Sequence, residues 1–192
     1  MNWDKAIISL VKGGIGVIPT DTLYGLVGSA LLETAVERIY RIKGRDYSKP
    51  LIVLIRSIED LVTFHAKFET SLDFLARNWP SKLSVILKVT GDEFEYIHRG
   101  THSIAFRIPE NVTLQELLFR TGPLVAPSAN PQGEKPARTI EEALNYFGDR
   151  ANFYIDGGVL DAEPSTVVDL SAGKLRIVRE GSFKISEESQ NN

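Results

Sequence analysis

The chain has 192 residues, of which 43% are hydrophobic and 24% are charged, and its net charge at pH 7 is −3. This composition is typical of one globular domain long enough to bury a sizeable core. The absence of cysteine excludes disulfides, a thiol nucleophile and a thiolate zinc site. The acidic charge argues against nucleic-acid binding over the whole surface, but it leaves room for a local basic groove.

The predicted elements mix helices with strands along the whole chain. Several strands are continuous aliphatic runs, such as LIVLI at 51–55, which is typical of a sheet buried on both faces. The late strands have no helices between them, which indicates a mixed rather than a purely parallel sheet. The predicted helices cover 3–12, 31–44, 57–66, 71–80, 113–122 and 139–148, and the predicted strands cover 15–20, 50–55, 83–90, 102–109, 124–126, 153–156, 165–170 and 174–181. The sequence therefore predicts an α/β (α+β-like) fold.

The two ends of the chain carry no clear targeting or anchoring signal. The N-terminal stretch MNWDKAIISLVKGG has an early acid and only a short apolar run, so it is a poor signal peptide. No stretch approaches the roughly 18–20 apolar residues that a membrane span needs. We expect a cytoplasmic protein with no membrane partner. We expect one domain over residues 1–182 and a disordered polar tail over 183–192.

A basic stretch, RIKGRDYSKPLIVLIR at 41–56, stands out against the acidic composition. Lys43 falls at the end of a predicted helix, where a cation complements the helix dipole. Arg45 and Lys49 lie beyond that helix and before the next strand, where the dipole does not account for them. Cations that converge on a strand edge fit an anionic ligand, most simply a phosphate chain.

Four further polar clusters lie where strands begin or end. They are PTDTLYG at 19–25, PSAN at 127–130, PSTVVD at 164–169 with VREG at 178–181, and HSIAFRIP at 102–109. In the last of these, Arg107 shares one strand face with Ser103, which fits a lined cavity. Each cluster taken alone also fits a polar turn or an exposed strand edge.

Several familiar signatures are absent from the sequence. It has no Walker A loop, no GxGxxG and no GxSxG. Its histidines, His65, His98 and His102, show no metal-ligand spacing, and each is interpreted as a lone surface residue. The sequence predicts no metal site. Any chemistry must therefore proceed without a cysteine nucleophile or an evident histidine base.

Taken together, PTDTLYGL, KGRDYSKPLIVLI, SIAFRIP, PSAN, STVVD and RIVREG resemble, in this order, the YrdC/TsaC family of threonylcarbamoyl-AMP synthases. The resemblance covers residues 5–182. It implies that residues 1–182 form a YrdC-like catalytic domain. It implies a twisted mixed sheet with flanking helices and a concave, positively charged cavity. It also implies condensation of L-threonine, bicarbonate and ATP to threonylcarbamoyl-AMP, with Mg²⁺ accompanying ATP and no tightly held cofactor. The implied partner is a tRNA threonylcarbamoyl-transferase complex, with weak direct tRNA binding.

The resemblance also implies roles for individual residues. The implied catalytic cations are Lys43, Arg45 and Lys49; the ATP-binding residues are Arg45, Lys49, Ser103, Asn130, Thr139 and Arg179; and the threonine-binding residues are Thr22, Tyr24, Arg107, Ser128 and Ser165.

The chain departs from the family pattern at two places. Gln132 stands where many members have serine, and Leu54 stands where some members have histidine. Two alternatives to the synthase therefore stay open. One is an RNA-binding module on the basic concave face, although only Tyr47 supplies an aromatic ring within the basic stretch. The other is a paralogue with the same fold and a different carbamoyl acceptor.

Overall fold

The computed structural model describes residues 3–185. These residues contain nine strands and six α-helices. The strands are β1 (Gly16–Pro19), β2 (Tyr24–Ser29), β3 (Ile52–Leu54), β4 (Leu83–Lys88), β5 (Ser103–Arg107), β6 (Leu124–Val125), β7 (Phe153–Tyr154), β8 (Thr166–Asp169) and β9 (Arg176–Arg179). The α-helices are α1 (Trp3–Val11), α2 (Glu33–Lys43), α3 (Leu72–Asn78), α4 (Glu95–His98), α5 (Val112–Thr121) and α6 (Ile140–Phe147). Short 3₁₀ helices cover Ile58–Phe64, Glu69–Ser71 and Gly148–Arg150.

The strands form one sheet in the order β7-β1-β2-β6-β3-β5-β4-β8-β9. Strand β1 pairs in parallel with β7, β3 with β5, and β4 with β8. The remaining neighbours pair antiparallel. The sheet is therefore mixed, which confirms the predicted α/β fold class.

Neighbouring residues within a strand point into two different hydrophobic clusters. Val53 belongs to the cluster that includes residues of α2 and α6, whereas the next residue, Leu54, belongs to the cluster built on α1 and α5. Val17 and Ile18 divide in the same way. Because side chains alternate between the faces of a strand, the sheet is covered on both faces. This explains the continuous aliphatic runs in the sequence.

Three local features differ from the sequence prediction. No strand was predicted over β2, where Gly25 and Gly28 lower the strand propensity. Gly28 is instead needed for packing, since a Cβ there would lie 2.9 Å from Ile15 and 3.1 Å from Ile39. The helix predicted over 57–66 is a 3₁₀ helix, and the short helix α4 was not predicted.

The C-terminal end of the described chain contacts strand β8. The Phe183 amide donates to Thr166 Oγ1 at 3.2 Å, and Thr166 Oγ1 donates to the Phe183 carbonyl at 2.7 Å. The rest of the predicted tail, residues 186–192, lies outside the described residues. Within residues 3–185, no helix is both long enough and apolar enough to cross a membrane.

Candidate active site

A cavity of about 480 Å³ opens beside the C-terminal end of β5. Its walls come from the β1–β2 turn, the segment after β6, and the loops that precede α6 and β8. Six predicted site residues and three further charged side chains line it: Thr22, Tyr24, Arg107, Ser128, Ser165 and Arg179, with Lys135, Arg138 and Asp161. Strand ends and loops thus bring together polar side chains that lie up to 157 positions apart in the sequence.

Arg107 is the most buried cation of the cavity wall, with 5% of its surface exposed. Its Nη2 lies 3.0 Å from Asp21 Oδ1, and its Nη1 donates to Thr22 Oγ1 at 3.3 Å. The contact with Asp21 is ionic rather than an aligned hydrogen bond, because neither carboxylate oxygen has a hydrogen-bond partner among the described residues. Burial lowers the pKa of Arg107, and the charge of Asp21 opposes that effect. Arg107 lines the cavity, and its buried Nε has no hydrogen-bond partner within residues 3–185.

Arg179 and Ser165 form a second polar wall. Arg179 donates through Nε and Nη2 to the Ser165 carbonyl at 3.0 and 2.8 Å, and through Nη2 to Ser165 Oγ at 3.1 Å. Ser165 Oγ also lies 3.0 Å from Ser84 Oγ. Burial lowers the pKa of Arg179, which still leaves it charged at pH 7. The end of β9 is therefore fixed to the segment that precedes β8.

Ser128 joins the cavity wall to the PSAN loop. Its Oγ donates to Asn130 Oδ1 at 2.6 Å, and Asn130 Nδ2 donates to the Glu134 carbonyl at 2.7 Å. Asn130 shapes this loop and is not among the residues that line the cavity. The buried Tyr24 hydroxyl, in the strand next to this loop, donates to the Gly158 carbonyl at 2.8 Å. Both walls are thus held by hydrogen bonds within the protein.

The three predicted catalytic cations, Lys43, Arg45 and Lys49, are not among the described residues that line the cavity. Lys43 is 3% exposed, and its Nζ donates to the Ser128 carbonyl at 2.6 Å and to the Asn130 carbonyl at 2.5 Å. Burial, reinforced by the charge of Arg45, lowers the pKa of Lys43 to about 7. Arg45 donates to the Lys49 and Pro50 carbonyls at 3.1 and 2.9 Å. Lys43 therefore supports the PSAN loop, while the Lys49 side chain is exposed.

The structure places two predicted ATP-binding residues away from the cavity lining. Ser103 lies at the opposite end of β5 from Arg107, and its Oγ donates to Thr101 Oγ1 at 3.2 Å. Thr139 caps helix α6, where its Oγ1 accepts a hydrogen bond from the Glu142 amide at 3.3 Å. Their roles toward a nucleotide stay predictions.

Lys135, Arg138 and Asp161 line the cavity but were not singled out in the sequence. Arg138 Nη2 lies 2.5 Å from Asp161 Oδ2, and both side chains are more than half exposed. The signal that could have found the two cations is KPAR at 135–138, directly after the PSAN loop. The polar side chains of the described lining are thus cations and hydroxyls, with one carboxylate that is already paired, and apolar residues such as Leu23, Ile52 and Leu160 complete the walls.

The two departures from the family pattern have different structural consequences. Gln132 connects the basic stretch to the PSAN loop. Its side-chain Oε1 accepts a hydrogen bond from the Asp46 backbone amide at 2.7 Å, and its backbone amide donates to the Lys43 carbonyl at 2.7 Å. Leu54 is 1% exposed and packs in the cluster of α1 and α5. Leu54 therefore offers no polar contact to the cavity.

This fold and this cavity define an α/β protein that can bind a small anionic ligand carrying hydrogen-bond acceptors. The family profile of Sua5/YciO/YrdC, described as telomere recombination, matches residues 9–181. Because this match covers most of the sequence, the chain belongs to the Sua5/YciO/YrdC family.

Named relatives are similar over nearly the whole chain. The threonylcarbamoyl-AMP synthase of Pyrococcus abyssi is 31% identical over 179 residues, which are 92% of this chain and 53% of that protein. A putative threonylcarbamoyl-AMP synthase of Mycobacterium tuberculosis is 31% identical over 182 residues, which cover 92% of this chain and 82% of that protein. The chain thus spans about half the length of the Pyrococcus relative.

Solved structures confirm the predicted YrdC-like fold. P. abyssi Sua5 complexed with L-threonine superposes with a TM-score of 0.86 and 31% identity, over 93% of this chain and 54% of that one. Escherichia coli YciO superposes with a TM-score of 0.84 and 28% identity, over 95% of this chain and 90% of that one.

Proposed function

We propose that this chain is a threonylcarbamoyl-AMP synthase that joins L-threonine, bicarbonate and ATP and releases pyrophosphate. The observation that carries the proposal is the cavity in which Arg107, Thr22, Ser128, Ser165 and Arg179 meet. The relatives named threonylcarbamoyl-AMP synthase and the Sua5 structure complexed with L-threonine support it. The product would serve a tRNA threonylcarbamoyl-transferase complex in the cytoplasm.

Arg107 is the proposed anchor for the threonine carboxylate. It is buried, its charge is offset by Asp21, and it retains an unpartnered Nε–H within the described residues. Planar guanidinium groups suit carboxylates because two parallel N–H groups can meet two oxygens. Thr22, Ser128 and Ser165 would then surround the threonine side chain with hydroxyl groups.

The proposed reaction needs alignment and charge neutralisation rather than a protein nucleophile. The threonine amine adds to bicarbonate with loss of water and becomes a carbamate. A carbamate oxygen then forms a bond to the α-phosphorus of ATP while the bond to the bridging oxygen breaks and pyrophosphate leaves. Arg179, Lys135 and Arg138 line the cavity and would offset charge on the phosphates.

The basic stretch would assist from the side of the cavity. Lys43 is committed to two carbonyls, so we assign it the positioning of the PSAN loop, which carries Ser128 and Asn130. Lys49 has an exposed side chain, and Arg45, which donates to two carbonyls through Nε and Nη2, would contact the nucleotide phosphates through its remaining N–H groups. Gln132 couples the two segments through Asp46.

Magnesium would reach the site with ATP. Among the described cavity-lining residues, only Asp161 carries a carboxylate, and Arg138 already pairs with it. This donor set fits an ion that keeps most of its waters and is held chiefly by phosphate oxygens. Bound in that way, Mg²⁺ would neutralise charge on the triphosphate.

Substrate choice should follow the hydroxyl of threonine. A site built to hydrogen-bond a substrate hydroxyl strongly disfavours an analogue that lacks it, because buried polar groups are left without partners. We expect serine to be a poorer substrate than threonine and valine to be far worse, as measured by kcat/KM for pyrophosphate release. Comparable turnover of valine would contradict the assignment of the threonine pocket.

The deciding experiment measures pyrophosphate release from ATP and Mg²⁺, with and without threonine and bicarbonate, and identifies the nucleotide product by mass spectrometry. We expect release that requires both co-substrates, together with threonylcarbamoyl-AMP. The variant Arg179→Lys should lose most of the activity. The matched control Arg120→Ala removes an exposed arginine of α5 that pairs with Asp4 and should leave the activity unchanged.

A second candidate is a paralogue that activates a different carbamate acceptor. The buried, apolar Leu54, at a position where some family members have histidine, favours it. Saturable ATP binding without threonine-dependent pyrophosphate release would support this candidate. Neither ATP binding nor turnover would leave the RNA-binding module as the function to test.

A further inference from the structure

The segment around α4 brings two histidines and an aspartate together: Asp92 precedes the helix, His98 ends it and His102 follows it. One ring nitrogen each of His98 and His102 and a carboxylate oxygen of Asp92 all lie within 4.8 Å of one another. The imidazole ring centroids are 5.0 Å apart. A left-handed turn at Gly100, with φ of +77°, reverses the chain between the two histidines. The sequence spacing gave no indication of this cluster.

His98 is a buried imidazole with little of its hydrogen-bonding capacity used. The residue is 0% exposed, so its interpretation from the sequence as a lone surface histidine was wrong. Its Nδ1 accepts one long hydrogen bond from the Gly100 amide at 3.2 Å, and its Nε2 has no partner within residues 3–185. A histidine ligates a metal through an unprotonated ring nitrogen, and Nδ1 of His98, which accepts the hydrogen bond from Gly100, is such an atom.

The charge around the cluster favours a cation. Asp92 also borders an acidic surface depression, in which Glu33, Glu93 and Glu95 are the other carboxylates. Arg99 is the one cation in the described lining of this depression, and its Nη2 lies 2.5 Å from Glu37 Oε1. A cation approaching Asp92 would thus meet mainly negative charge.

We propose that Asp92, His98 and His102 form a binding site for a divalent first-row transition-metal ion such as Zn²⁺. Two imidazoles and one carboxylate suit Zn²⁺, Co²⁺ or Fe²⁺, whereas Mg²⁺ prefers oxygen ligands only. Three protein ligands leave a coordination position for water. Asp92, His98 and His102 are not among the described residues that line the cavity, and the proposal does not rest on the proposed function.

The site requires only a small adjustment of exposed side chains. In a tetrahedral site with bonds of about 2.0–2.2 Å, ligand atoms lie about 3.4 Å apart. His102 and Asp92 are exposed and can move closer by rotamer changes, while His98 stays fixed. Coordination through Nδ1 of His98 would replace the long bond from the Gly100 amide. Coordination through Nε2 would leave the ring proton on Nδ1, where it would face the N–H group of Gly100. Nδ1 is therefore the preferred ligand atom.

The test is titration of the EDTA-treated full chain with Zn²⁺ by calorimetry, and with Co²⁺ by its visible absorption. We expect one ion per chain, with a micromolar or tighter dissociation constant. His102→Ala and Asp92→Asn change exposed side chains and should each weaken binding by at least about tenfold, as loss of a ligand does. The matched control is His65→Ala, which removes an exposed histidine paired with Glu93 at 3.0 Å and should leave the affinity unchanged.

Other outcomes would overturn the proposal. Absence of saturable binding would show that the site does not bind the ion. Several equal weak sites, or an equal affinity of His102→Ala and the parent chain, would show adventitious surface binding. As a second measurement, Zn²⁺ should raise the melting temperature of the parent and of His65→Ala. The same increase in Asp92→Asn or His102→Ala would contradict the site.

Discussion

At the scale of single residues, Lys43 is the clearest case of a cation that supports a loop. Its ammonium group donates to the Asn130 carbonyl and to the Ser128 carbonyl, and the Ser128 carbonyl also accepts from the Asn130 backbone amide. The variant Lys43→Met keeps the length of the side chain but leaves a buried carbonyl without its donor. We expect it to lower the free energy of unfolding by about 1–3 kcal/mol, as measured by urea denaturation at pH 7.

The pH dependence of that difference tests the environment of Lys43. Its pKa is about 7 in the folded chain, against an ordinary value of 10.5. Between these two values the unfolded chain binds more protons than the folded one, so the contribution of Lys43 to stability rises with pH. The stability difference between the parent and Lys43→Met should therefore widen from pH 7 to pH 9.5. A constant difference across this range would contradict the lowered pKa.

Asp21 makes a second prediction at the residue scale. It is the buried counter-charge of Arg107, with side-chain exposures of 7% and 6%. Asp21→Asn would leave a buried guanidinium without its opposite charge, and we expect the free energy of unfolding to fall by about 3–5 kcal/mol. Arg120→Ala breaks the exposed pair with Asp4 and should cost less than about 1 kcal/mol. Denaturation curves of equal midpoint for the two variants would refute the buried pairing.

At the scale of elements, strand β9 is fixed to the loop before β8 by close backbone contact at Gly181. A Cβ at Gly181 would lie 2.2 Å from the Pro164 carbonyl oxygen and 2.8 Å from the Ser165 carbonyl. Gly181→Ala must therefore displace the segment that Arg179 holds at the cavity wall. We expect threonine-dependent pyrophosphate release to fall by about 10- to 100-fold, as for small misplacements of reacting groups.

The control for this element is Gly173→Ala. Gly173 has φ of +75°, and no atom lies within 4 Å of the position that a Cβ would take there. Alanine at this position therefore adds strain of about 1 kcal/mol without displacing the cavity wall. Its urea midpoint should fall while its turnover stays at the parent level. Equal losses of turnover in both glycine variants would show that Gly181 acts through global stability alone.

At the scale of the whole molecule, the cationic cavity lies within a chain of net charge −3. A triphosphate needs only the cations of the cavity wall, whereas an RNA backbone spans a longer surface of a chain whose net charge is negative. We expect a single-stranded RNA to bind more weakly than about 10⁻⁴ M at physiological salt, the weak end of non-specific binding. Fluorescence anisotropy measures this directly. Micromolar binding with a steep salt dependence would favour the RNA-binding alternative.

Much of the fold followed from local sequence patterns. Aliphatic runs such as LIVLI predicted strands buried on both faces, and the structure places Val53 and Leu54 in different clusters. The failure at β2 also has a local cause. Strand β2 was not predicted, because the pattern along the chain does not show that Ile15 and Ile39 occupy the space beside Gly28.

The sequence by itself determined the mixed α/β class, the family and the polar clusters at strand ends, because periodicity and motif order are local properties of the chain. Only the tertiary structure decided that Lys43 binds two loop carbonyls, that Asp21 neutralises Arg107, and that Asp92 approaches His98 and His102. These contacts depend on where turns and neighbouring strands place side chains in space. Distance along the sequence does not encode that placement.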